Sequence, residues 1–68
     1  MFQMKLNPNL VLAAKEAIKD LNENLYQKDF TFDGKTFAVA LESNRKKLDI
    51  NAMFGKFSHE NEEYFIFR

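Results

Sequence analysis

The stretch "DFTFDGKTFAVALE", Asp29 to Glu42, decides the fold. It consists of two runs of alternating apolar residues on either side of Asp33-Gly34. A two-residue hairpin loop of type I′ needs positive φ at both central positions, which is why Asp-Gly between alternating runs signals a hairpin. Such a loop sets Phe32 opposite Lys35 and Phe30 opposite Phe37. Phe30, Phe37, Val39 and Leu41 then share one face. A hairpin with one apolar face must lay that face against something.

Further along the chain, "SNRK" (43–46) reads as a polar turn. If Glu42 pairs with Lys47, then Leu41 meets Leu48, Val39 meets Ile50 and Phe37 meets Ala52, and the apolar sets coincide again. "HENE" (59–62) reads as a third turn, with Glu60-Asn61 at its centre. That register brings Phe54 opposite Phe67 and assigns Phe65 and Phe67 to the inner face, with Gly55 marking a bulge that also turns Phe57 inward. The expectation is an antiparallel meander.

On the N-terminal side, "MFQMKL" (1–6) alternates Phe2, Met4 and Leu6 with Gln3 and Lys5, the period of a strand. Asn7 then stands at an N-cap position and Pro8 in a first helical turn, where a missing N–H costs nothing. Leu10, Ala14, Ile18, Leu21 and Leu25 recur at intervals of three and four, so an amphipathic helix is expected over residues 8–27. The whole reads as one α+β domain spanning residues 1–68, in the order β-α-β-β-β-β, with one helix packed on one face of an antiparallel sheet. This order of elements resembles that of cystatins and monellin. The hairpins carry no Gln-x-Val-x-Gly inhibitory segment, so the likeness implies topology alone.

Composition narrows the function classes. With 68 residues there is room for a single small core, and 46% hydrophobic residues including eight Phe supply it. There is no Cys, which excludes disulfides, thiolate zinc sites and thiol redox chemistry, and fits a reducing cytoplasm. Ten basic residues balance ten acidic ones, so any electrostatic role must be local. No secretory leader or apolar membrane span is read from the sequence. The frequent Lys, Asn and Phe suit an AT-rich genome, and so short a chain suits a phage or mobile element.

No constellation for catalysis emerges. His59 in "SHENEE" lacks the His or Cys companions of a zinc site, and Ser43 and Ser58 have no base and orienter in view. Neither Gly34 nor Gly55 belongs to a phosphate-binding loop. The expected protein is therefore not an enzyme and uses no cofactor, metal or small-molecule substrate. In the register above, the sheet face away from the helix carries Met53, Tyr64 and Ile66 as apolar anchors, with Lys47 and Asp49 to set orientation. A protein partner, or a second copy of the chain, is expected on that open face or on a sheet edge, as for an adaptor or stoichiometric inhibitor. The alternative is nucleic-acid binding through Arg45, Lys46 and Lys47 of the basic turn, with Lys35 nearby.

Overall fold

The computed structural model describes residues 6–50 and 52–68. Its elements are α1 (Pro8–Ile18), β1 (Gln27–Phe32), β2 (Lys35–Leu41), a 3-10 helix (Glu42–Lys47), β3 (Met53–His59) and β4 (Glu62–Phe67). The α+β class holds: among the described residues one helix packs against a four-stranded antiparallel sheet. The expected strand over Phe2, Met4 and Leu6 lies, apart from Leu6, outside the described residues.

Local signals formed as read. The Asn7 side chain accepts a hydrogen bond from the Asn9 N–H at 2.8 Å, with Pro8 opening the helix. Asp33 and Gly34 have φ of 54° and 73°, and Glu60 and Asn61 of 51° and 68°. These are the positive angles of two-residue type I′ loops, and the pairs Phe32–Lys35 and His59–Glu62 close them.

The helix is shorter than its stripe. It ends at Ile18, because Lys19, Asp20 and Leu21 donate to carbonyls three residues back. Asn22 then captures the chain: its side-chain oxygen accepts from the N–H groups of Asn24 and Leu25 at 2.7 and 3.0 Å. Such side-chain bonds compete with the helical ladder. Leu21 still reaches the core, whereas Leu25 is exposed.

Strand order corrects the meander. The sheet runs β1-β2-β4-β3, so β2 takes β4 as its neighbour and not the segment after the basic turn. The pairs are Ala38–Phe67, Val39–Ile66, Ala40–Phe65 and Leu41–Tyr64. Val39 and Ile66 pack beneath the helix with Leu10, Ala14, Ala17, Phe37 and Tyr64. On the other face Phe65 and Phe67 lie beside Ala38 and Ala40. The small alanines leave room for the two rings, and Leu48 and Ile50 cover the cluster. The alternation of Leu48 and Ile50 thus serves a covering segment instead of a strand.

A bulge resets the parity of the last hairpin. From the Glu60-Asn61 loop the pairing is regular up to Gly55–Ile66, and Met53 then meets Phe67, leaving Phe54 as the extra residue. Phe54 turns to the helix side, where its ring meets that of Phe37 edge-on at 5.3 Å. Gly55 lets the Leu6 side chain pack directly on the strand, and a larger residue there would make that side chain shift. A Cβ at that position would stand 2.5 Å from Leu6 Cδ2 and 2.9 Å from Cγ. Phe57 faces inward as expected, stacked on Tyr64 at 5.6 Å.

Candidate interaction surface

The expected apolar sheet face is not open. Tyr64 is 9% exposed and Ile66 is 0% exposed, and both belong to the cluster under the helix. In place of the expected open face they meet the helix, because β4 docks on β2 with its phenylalanines against Ala38 and Ala40. Of the five residues proposed for that face, Met53 remains 42% exposed on an outer strand beside Phe67. Lys47 closes the 3-10 helix and holds its ammonium 4.7 Å from the centre of the Tyr26 ring. Asp49 is exposed between Leu48 and Ile50, the two residues that cover the face. These five side chains do not make one surface.

The basic set divides too. Arg45, Lys46 and Lys47 lie exposed on the last turn of the 3-10 helix, which follows the C-terminal end of β2. Lys35 begins β2. Seven strand residues separate the two ends by roughly 20 Å. Among the described residues no cluster of three His, Asp or Glu side chains is placed to hold a metal ion. His59 lies 3.7 Å from the Glu60 carboxylate and tilts against the Tyr64 ring at 6.3 Å.

Two features stand in place of the expected face. The first is a cleft of about 650 Å³ between the loop after α1 and the 3-10 helix. Leu21, Leu41 and Tyr64 line it together with Tyr26, Asn44 and Lys47. Burial pushes the Tyr64 phenol above its ordinary value of 10.0, and the Glu62 and Glu60 carboxylates add to the shift. Asn22, also in the lining, is committed to its own turn.

The second feature is the outer edge of β1. This strand is six residues long, contains no Gly or Pro, and pairs with β2 without a break from Gln27–Ala40 to Phe32–Lys35. It is the terminal strand of the sheet among the described residues. The direction of its free groups follows from the loop. A type I′ turn hydrogen-bonds its first residue to its last, so Phe32–Lys35 is a hydrogen-bonded pair. Alternation along an antiparallel ladder then turns the backbone groups of Phe30 and Lys28 toward β2, and those of Thr31, Asp29 and Gln27 outward. The other edge strand, β3, is interrupted by its bulge and packed by Leu6 at Gly55.

Sequence reasoning had named an edge in general terms and had not singled out β1. The first strand of the expected meander is terminal as well; what the structure adds is that β1 pairs regularly whereas β3, the other edge among the described residues, is bulged. Comparison of the chain with protein-family models, curated proteins and solved structures finds no match.

Proposed function

We propose that this protein is a small interaction module that acts by binding, in the manner of an adaptor or stoichiometric inhibitor, and takes an extended protein segment along the edge of β1. The single observation that carries this reading is the regular, unbulged β1, terminal in the sheet among the described residues, with the backbone groups of Gln27, Asp29 and Thr31 facing outward. Strand addition draws affinity from such main-chain groups and specificity from the alternate side chains. Phe30 and Phe32 are half-buried on the helix side of this edge, so an added strand covers more of them. On the opposite face Asp29 and Thr31 are exposed and polar.

The test is Asp29→Pro. Proline is tolerated on an edge strand where the lost N–H faced solvent, and there it blocks addition of a further strand. The variant is expected to keep its circular dichroism and melting cooperativity while losing a partner that the unaltered protein captures from cells. Arg45→Ala with Lys46→Ala should keep that partner. Capture that survives Asp29→Pro, in a variant that remains folded, refutes edge binding.

A further inference from the structure

The occupant of the β1 edge can be named from the strand's own sequence, an inference that rests on the edge-binding reading above. We infer that β1 pairs with β1 of a second copy, antiparallel about a two-fold axis at Phe30, to give one sheet continuous across both copies. A two-fold axis normal to the sheet keeps each helix on the same side, so residues opposite one another must come from the same face. That restricts the pairings to a few registers. One that centres on Asp29 sets the two Asp29 carboxylates against each other. One that centres on Lys28 does the same with two ammonium groups. Like charges directly opposite are unfavourable. One that centres on Thr31 runs into the Asp33-Gly34 turn just past Phe32, so only Phe30, Thr31 and Phe32 can pair.

The register centred on Phe30 avoids all three conflicts. It sets Phe30 against Phe30 of the second copy, Lys28 against its Phe32, and Asp29 against its Thr31. In this arrangement the outward-facing backbone groups of Asp29 and Thr31 meet each other and form the hydrogen-bonded pairs, while Phe30–Phe30 becomes a close, non-hydrogen-bonded pair. The side chains agree with that alternation. The Thr31 hydroxyl can donate to the Asp29 carboxylate, the Lys28 stem covers the Phe32 ring, and the half-buried Phe30 rings meet on the helix side. The pairing is short, so the association is weak and concentration-dependent.

The absence of cysteine from the chain allows a direct test. Purified protein alone is studied by sedimentation across a wide concentration range, together with Asp29→Cys and Thr31→Cys as single variants and as a mixture. The expected result is a reversible doubling of mass at high concentration, which Asp29→Pro abolishes. Under mild oxidation the mixture should cross-link as a mixed pair, with each single variant alone giving markedly less. Preferential cross-linking of Asp29→Cys to itself would place the axis elsewhere and overturn the register. A protein that stays monomeric throughout overturns the inference; if it still loses a cellular partner on Asp29→Pro, the edge-binding function survives without it.

Discussion

Phe65 offers the sharpest test of how the sheet is packed. It is 0% exposed, lies on the face away from the helix, and tilts against Phe67 at a ring distance of 5.3 Å. Phe65→Ala removes a fully buried ring, at a cost of about 3–5 kcal/mol. At roughly 0.05–0.15 kcal/mol per residue, a chain this size has about 3–10 kcal/mol of stability in total, so the variant loses about 30% or more of it. The melting temperature should fall by at least about 12 °C, at about 4 °C or more per kcal/mol. Urea unfolding followed by circular dichroism suits a chain without Trp. A cost within about 0.5 kcal/mol, the range of surface positions, would refute the burial.

The direction in which the ring points requires a second measurement. Double-mutant cycles use the milder Phe65→Leu so that enough folded protein remains. Ile50→Ala should couple to it by roughly 0.5 kcal/mol or more, because both side chains belong to one packed cluster. Leu10→Ala, on the helix side, should be nearly additive. Coupling to Leu10 with none to Ile50 would place Phe65 under the helix and refute the strand docking described above.

Gly55→Ala should cost about 1–3 kcal/mol in thermal melts, since the new methyl meets the Leu6 side chain. Leu6→Ala should relieve most of that cost, and an equal cost in both backgrounds would dismiss the contact. For Tyr64, the phenolate absorbance that Tyr64→Phe removes should titrate above 10.0. Above that pH the unfolded state releases a proton that the folded state retains, so this group lowers stability as pH rises. A band titrating at or below 10.0 would contradict the desolvation of Tyr64.

What the sequence determined by itself is local. Asp33-Gly34 and Glu60-Asn61 set two hairpins because their backbones accept positive φ, and Asn7-Pro8 set the start of the helix because a side-chain cap and a missing N–H both suit a first turn. Each hairpin also carries its own internal parity, so the facing pairs next to its loop were legible. Asn22 shows where local reading gives way even at short range. An amphipathic stripe continues through Leu21 and Leu25, but one asparagine side chain competes for the backbone and the helix stops.

Only the tertiary structure decided which strand β2 accepts and which face of β4 meets the helix. Alternation in Leu48–Ile50 and in Tyr64–Phe67 is equally compatible with several pairings, since a period of two states that faces differ and not which face is covered. The choice rests on volume across the sheet. Ala38 and Ala40 make room for Phe65 and Phe67, Leu48 and Ile50 close over them, and the bulge at Phe54 adjusts the register of the hairpin. That same choice buried Tyr64 and Ile66 and closed the sheet face expected to be open, whereas β1 ends the sheet among the described residues in the observed order as it does in a meander.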